Sequence, residues 1–283
     1  MYTRAMKYIV AVSGGVDSVV LLDMMVRDKN ADIVVAHFEH GIRGEDSERD
    51  AEFVRLLSQQ YGLKCVIEHG KLGADASEDA ARQARYAFLR RVANEHQARI
   101  VTAHHADDVA ESIAINLLRG TGWRGLAVMN AVDIKRPLLA RRKRELYDYA
   151  LKHHLEWVED ATNQDQRYLR NQVRTKLAAL DDGSIARLLS LRTRALELRT
   201  SIDATTRPFV QQSSRYFFIM ISPDVAVEIL RCMTNHRLLS AQLERLLLAL
   251  KTARPGAIHQ AGNGVSVHLS VNKFIVEVAP RVV

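Results

Sequence analysis

The chain has 283 residues, 47% apolar and 26% charged, enough to bury a substantial core and to build one large or two modest domains. That balance, without a long low-complexity tract, excludes an intrinsically disordered chain, and no apolar run approaches the ~18 residues of a membrane-spanning helix. Forty Lys and Arg against 33 Asp and Glu leave a formal charge of +7, which suits a polyanionic partner without demanding one.

Met1-Tyr2-Thr3-Arg4 leads into a strand rather than a signal peptide. Tyr8 to Val12 is an apolar, β-branched run expected to form a buried strand; it breaks at Ser13-Gly14-Gly15, and a helix is expected from Val19 to Val26. Strand, glycine turn and helix together direct backbone N–H groups and a helix N-terminus at an anion. In Ser13-Gly14-Gly15-Val16-Asp17-Ser18 the glycines let a phosphate approach, the two serines add hydroxyls, and Asp17 would repel a phosphate unless a magnesium ion lay between them. No lysine occurs between Lys7 and Lys29, so this is not the kinase-type loop that closes on Lys-Ser or Lys-Thr. The hexapeptide resembles the pyrophosphatase loop of enzymes that split ATP between its α and β phosphates.

Further strands are expected at Asp32–Phe38, Leu63–Glu68 and Arg99–Ala103. The helices between them include one capped by Asp46 or Ser47, with Phe53, Val54, Leu57 and Tyr61 on one face before Gly62. Another opens at Ser77-Glu78-Asp79 and buries Ala81, Ala84, Phe88 and Val92; a third spans Ala106 to Leu118. Strands alternating with such helices imply an α/β fold, a parallel sheet with helices on both faces, whose ligand lies outside the carboxyl ends of the strands. A fifth unit runs from Leu126 through Arg136-Pro137-Leu138-Leu139 to a helix near Lys143–His154. After a loop, a helix from Asp165 to Leu180 ends at Asp181-Asp182-Gly183, where the boundary between domains 1–182 and 183–283 is expected. The second, smaller domain is expected to be mainly helical: Ile185–Thr205, a short strand at Tyr216–Ile221, helices Pro223–Met233 and Ser240–Thr252, then a hairpin of Val265–Leu269 and Phe274–Val278.

His104-His105-Ala106-Asp107-Asp108-Val109-Ala110-Glu111 begins where a strand ends, so His104, Asp108 and Glu111 can share one edge of the cleft, to hold a metal or orient a base; helix capping is the plainer alternative. Arg82 and Arg85 share a helix face and are candidates for phosphate or carbonyl contacts. Lys135-Arg136, Arg141-Arg142-Lys143-Arg144 and the row Arg167, Arg170, Arg174 and Lys176, with Asn171 among them, suit an RNA backbone; solvated charge is the alternative. Cys65 and Cys232 are far apart and form no CxxC pair, which together with the N-terminus makes a cytoplasmic protein with reduced thiols the expectation.

SGGVDS, His37-Phe38-Glu39-His40-Gly41-Ile42-Arg43, Ala81-Arg82-Gln83-Ala84-Arg85-Tyr86, Thr102 to Glu111, Leu118-Arg119-Gly120-Thr121-Gly122, Arg136-Pro137-Leu138-Leu139, Glu159-Asp160-Ala161-Thr162-Asn163 and Arg170-Asn171-Gln172-Val173-Arg174 occur in that order. Over residues 7–180 the chain resembles the tRNA(Ile)-lysidine synthases, PP-loop ATP pyrophosphatases with an adenine nucleotide alpha hydrolase-like fold. It departs from the family at His37-Phe38-Glu39-His40, usually His-x-Asn/Asp-His, and at Glu111-Ser112, usually Glu-Thr. Longer family members carry a further carboxyl-terminal tRNA-binding domain, where this sequence has a short hairpin-like tail.

The resemblance implies ATP and Mg²⁺ as cofactors and, as partners, L-lysine and a tRNA(Ile) with anticodon CAU, with no membrane; a homodimer stays open. It implies adenylation of the wobble cytidine, then displacement of AMP by lysine. Ser13, Gly14, Gly15, Val16, Asp17, Ser18 and His37 would bind ATP, and Asp17 and Asp108 the metal. His104 would orient the base, and Arg85 and Arg174 would contact nucleotide or cytidine. Arg82, Glu111, Arg119, Arg136, Arg170 and Asn171 are placed on the substrate and tRNA, with Glu111 or Asp107 considered for the lysine ammonium. Rival readings are a tRNA 2-thiolating enzyme, which needs paired cysteines, a small-molecule ligase of the NAD- or GMP-synthetase kind, and a nucleotide-binding module without turnover.

Overall fold

The structure is a computed structural model describing residues 6–28, 31–39, 45–70, 77–159 and 169–280. The chain divides into two compact units, Met1–Thr193 and Arg194–Val283.

In the first unit five strands, β1 (Met6–Ala11), β2 (Ala31–Glu39), β3 (Lys64–His69), β4 (Arg99–Val101) and β5 (Ile134–Lys135), form one sheet in the order β3-β2-β1-β4-β5. All four pairings are parallel, with Tyr8 opposite Ile33 on one side and Arg99 on the other. The central strand is apolar on both sides because each face is covered. Tyr8 and Val10 join the core under α1 (Val16–Arg27), α2 (Glu45–Gln60) and α5 (Lys143–Lys152), while Ile9 joins the core under α3 (Glu78–His96). Chain order reverses between β1 and β4, the switch point where such sheets open a crevice at the carboxyl ends of their strands.

Local signals account for most boundaries. Ser77 Oγ accepts from the Ala80 amide at 3.2 Å and starts α3. Gly62, at φ +68, follows α2 with its amide on the Gln59 carbonyl. On α3, Tyr86, Leu89 and Ala93 are buried beside the expected Phe88 and Val92, whereas Ala81 and Ala84 are only half-buried. The helix α4 (Ala106–Leu118) has the expected bounds. A small third cluster joins Ala106 and Ala110 to Ile185. Between them in sequence lies α6 (Leu169–Ala178), the described part of the helix expected from Asp165. His40 to Arg43, Asp160 to Asn163 and Arg167 lie outside the described residues, as do the side chains of Asp46, Ser47, Arg170 and Asn171.

A long helix, α7 (Asp182–Thr206), replaces the boundary expected at Asp182: the division falls within it, after Thr193. In the second unit, residues Tyr216–Ile221 are not the expected strand. They lie largely in α8 (Arg215–Met220), because Ser214 Oγ caps the helix at the Phe217 amide and Phe218 is driven into the core. The buried Arg215 reinforces this, donating to the carbonyls of Leu250, Ala253 and Ser270 at 2.8–2.9 Å. Helices α9 (Pro223–Met233) and α10 (Ser240–Thr252) match expectation. Strands β7 (Val265–Leu269) and β8 (Phe274–Val278) form the expected hairpin, which gains a third strand, β6 (Ile258–Gly262), antiparallel to β7. Phe218 meets Phe274 edge-on at 5.2 Å between ring centres, joining helix layer to sheet. No described helix is long and apolar enough to cross a membrane.

Candidate active site

The turn after β1 is braced by its own side chains. Gly14 sits at φ +94, open to glycine, and its carbonyl accepts from the Val158 amide at 3.0 Å. Ser18 Oγ accepts from the Ser13 amide at 3.1 Å and donates to the Gly15 carbonyl at 2.8 Å, so the Ser18 proton belongs to the turn. Ser13 Oγ lies 3.3 Å from Ser18 Oγ and is exposed. Val16 and Asp17 begin α1, where amides have no intrahelical acceptor, while the Val16 side chain is buried in the core. The loop therefore offers backbone donors and a helix N-terminus, the features an anion needs.

The turn opens into a cavity of about 970 Å³ lined by Ser13, Gly15, Asp17 and Ser18, by His37 from β2, Arg85 from α3, His104 and His105 after β4, Asp107, Asp108 and Glu111 from α4, and Arg174 from α6. Arg142, Lys143 and Arg144, at the start of α5, complete this wall.

The acidic part centres on His105. Its Nε2 lies 3.6 Å from Asp17 Oδ2 and 3.4 Å from Asp108 Oδ2, and its Nδ1 lies 3.6 Å from Asp107 Oδ2. Burial alone would lower the His105 pKa, but Asp17, Asp108 and Asp107 outweigh it and raise the pKa. Burial likewise raises the Asp17 carboxyl, and His105, Lys143 and Arg174 pull it below the usual range. Asp108 Oδ2 also accepts from the His105 amide at 3.0 Å, fixing the first turn of α4. Asp17 Oδ1 is buried without a hydrogen-bond partner, an orphaned anionic oxygen at the mouth of a phosphate-type turn. With Asp108 across the same imidazole, the hard oxygen donors fit magnesium chemically.

Asp107 joins two helices. Arg142 donates to its Oδ1 at 3.0 Å, and the Lys143 amide donates to its Oδ2 at 2.7 Å. Arg142 extends to Asp182 Oδ1 at 2.5 Å, and Arg144 also binds Asp182. The clamp sets Lys143 Nζ 3.8 Å from Asp17 Oδ2. Glu111 is buried and held by Arg174; burial raises its carboxyl against that guanidinium's opposing pull.

Arg85 and His104 line the same cavity. Burial holds the Arg85 guanidinium below its usual pKa, and its charge faces the Tyr86 ring at 5.5 Å. His104 is pushed down to about 3, first by burial and then by Arg136, Arg85 and Arg82, so it is neutral at pH 7. Its Nδ1 lies 2.8 Å from Thr102 Oγ1. His37 Nδ1 donates to the Val12 carbonyl at 2.8 Å; burial lowers its pKa, and its Nε2 is a buried acceptor without a partner.

Several expected residues lie elsewhere. Arg82 is exposed, stacked 5.0 Å from the Tyr86 ring. Arg119 is exposed at the end of α4. Arg136 does not line the cavity; its NH1 donates to the carbonyls of Met129, Ala131 and Ile134, and only its charge reaches His104. Sequence reasoning missed the central place of His105, the Arg142 clamp and Lys143. For Arg142 and Lys143 the signal is a basic run directly ahead of a helix, which by itself reads as RNA-facing or solvated charge.

A model described as a PP-loop domain matches residues 2–180. The chain belongs to the PP-loop domain family. This PP-loop chain is 38% identical over 232 residues to a tRNA(Ile)-lysidine synthase of Geobacter sulfurreducens, covering 76% of this chain and 48% of the relative. It is 33% identical over 229 residues to that of Thermotoga maritima, covering 74% and 54%. The chain thus spans about half the length of the curated relatives it matches. Among solved structures, a U34-tRNA thiolase NcsA from Methanococcus maripaludis with its [4Fe-4S] cluster aligns with a TM-score of 0.60 at 20% identity. The alignment covers 69% of this chain and 74% of that one, a likeness of fold.

Proposed function

We propose that this PP-loop protein joins free lysine to carbon 2 of the wobble cytidine in a tRNA(Ile) with anticodon CAU, converting ATP to AMP and pyrophosphate. The named relatives support this reading. The observation that carries it is one cavity lined together by the glycine turn, the Asp17–His105–Asp108 group, Arg85 and a neutral His104.

In the first step the cytosine carbonyl oxygen attacks the α-phosphorus and the bond to pyrophosphate breaks. In the second, the lysine ε-amine attacks carbon 2, AMP leaves with the carbon–oxygen electron pair, and the amine loses a proton. The amides at Gly14 and Gly15 and the N-terminus of α1 receive the phosphates. A magnesium ion held by Asp17 and Asp108 would supply charge neutralisation on the phosphate oxygens when bound. Lys143 brings from α5 the positive charge that the turn itself lacks. His37 Nε2, held as an acceptor, suits an amino or hydroxyl donor of the nucleoside. Arg85 donates toward nucleotide or cytosine, and His104 orients the base while neutral. Of the two carboxylates considered for the lysine ammonium, Asp107 is committed to Arg142 and to the Lys143 amide, and Glu111 to Arg174, so a lysine ammonium at either would share the carboxylate with a resident cation. Arg119, and Arg124 stacked 4.8 Å from the Trp123 ring, lie where an RNA backbone can be contacted outside the cavity.

Sulfur transfer is the rival, and the absence of cysteine among the described cavity-lining residues favours lysine. The test is incorporation of labelled lysine into a tRNA(Ile) CAU transcript, with AMP and pyrophosphate counted. Equimolar lysine, AMP and pyrophosphate are expected. ADP as product, or pyrophosphate release independent of RNA, would reject the reading.

A further inference from the structure

We propose that Asp203, Cys232 and His236, in the C-terminal unit, form a binding site for a zinc-class divalent transition-metal ion. Asp203 comes from the last turns of α7 and Cys232 from the last turn of α9. The three donor atoms lie within 4.8 Å of one another. Cys232 Sγ is 4.0 Å from Asp203 Oδ1, and His236 Nε2 is 3.8 Å from Asp203 Oδ2. Tetrahedral zinc, with ligand bonds of about 2.0–2.3 Å, sets its donors about 3.3–3.8 Å apart, so small side-chain rotations close the site.

The chain path is suited to this. Beyond α9, Asn235 and His236 both take left-handed backbone, at φ 50 and 57, and the His236 amide returns to the Arg231 carbonyl at 2.9 Å. That turn brings the His236 ring back to the helix end that carries Cys232. Thr206 Oγ1 donates to the Ile202 carbonyl at 2.9 Å and lies 3.1 Å from Cys232 Sγ, a contact that fixes where the sulfur sits. Asp203 and Cys232 are half-buried and His236 is exposed, which gives an ion a way in and leaves room for a water as fourth ligand.

The donor chemistry selects the ion. One sulfur, one imidazole nitrogen and one carboxylate suit zinc or cobalt(II) and are poor for magnesium or calcium. The catalytic cavity has the opposite character, with no cysteine among its described lining residues. Arg199 Nε, 3.6 Å from Asp203 Oδ2, competes for the carboxylate, so the site is expected to be weaker than a closed four-ligand zinc site.

The experiment titrates the full chain, kept reduced, with cobalt(II) and then displaces the cobalt with zinc. One equivalent giving a thiolate-to-cobalt charge-transfer absorption, bleached by zinc, is expected. Cys232→Ser should abolish the band. His236→Asn and Asp203→Asn should each weaken binding at least about tenfold, the lower bound set by losses at mere supporting hydrogen bonds. Cys65→Ser and Asp17→Asn should leave the band unchanged. His236→Asn is exposed, and its melting in chelator should match the unsubstituted chain, which separates lost binding from lost folding. No thiolate band, a band surviving Cys232→Ser, or one removed by Cys65→Ser would overturn the assignment.

Discussion

Replacing Asp107 with alanine tests the joint between α4 and α5. The carboxylate holds the Arg142 guanidinium at 3.0 Å and the Lys143 amide at 2.7 Å, with side-chain exposures of 26% for Asp107 and 15% for Arg142. The amide bond caps the first turn of α5 and contributes about 1 kcal/mol. The ion pair, more buried than a surface pair but not dry, adds about 1 kcal/mol. Leaving Arg142 with less compensation keeps the loss near the sum, about 2 kcal/mol. In urea melts this appears as a lower midpoint at unchanged slope. A cycle with Arg142→Ala should show coupling of about 1 kcal/mol, because the second substitution finds its partner already missing. Lys143 would lose its fixed place beside Asp17, so RNA-dependent pyrophosphate release should fall with it. A variant within about 0.5 kcal/mol of the parent, the ordinary surface effect, and fully active would refute the clamp.

Three further outcomes follow from the geometry. Asp17→Asn should reduce pyrophosphate release by about 10² or more while leaving the melting curve nearly unchanged; full activity would remove the metal role. His104 has its folded pKa lowered to about 3, so between that value and its unfolded pKa the unfolded chain binds more protons. Its contribution to stability is therefore complete above about pH 6.5 and declines as pH falls toward 3, by about 2 kcal/mol at pH 5; His104→Gln should flatten that part of the curve, and an unchanged curve counts against the neutral imidazole. Phe218→Ala should cost about 3–5 kcal/mol and Ser214→Ala about 1 kcal/mol by denaturant melting; no loss in either would contradict the α8 packing.

The sequence was most readable where a local signal and the tertiary core agree. Ser77 opens α3, Gly62 follows α2, and Ala106–Leu118 is bounded as expected because its turn chemistry lies within a few residues. Tyr216–Ile221 misled because its aromatic and β-branched residues favour a strand, whereas the Ser214 cap and Arg215's bonds to carbonyls far along the chain select helix. Strand β6 was missed since its alternation is weak, Ile258-His259-Gln260, and only pairing with β7 defines it. In the site, the glycine turn could be read from its own spacing. The basic run at 141–144 could not be apportioned, because what turns Arg142 and Lys143 inward is Asp107, Asp182 and Asp17, all distant in sequence.

His104 and His105 are adjacent, yet their surroundings drive them in opposite directions, one toward a bare ring and the other toward imidazolium. A single peptide bond thus joins a ring held neutral to one whose hold on a proton is strengthened. On acidification His105 should therefore take up its proton at a higher pH than His104, an order that a histidine-resolved NMR titration reads directly.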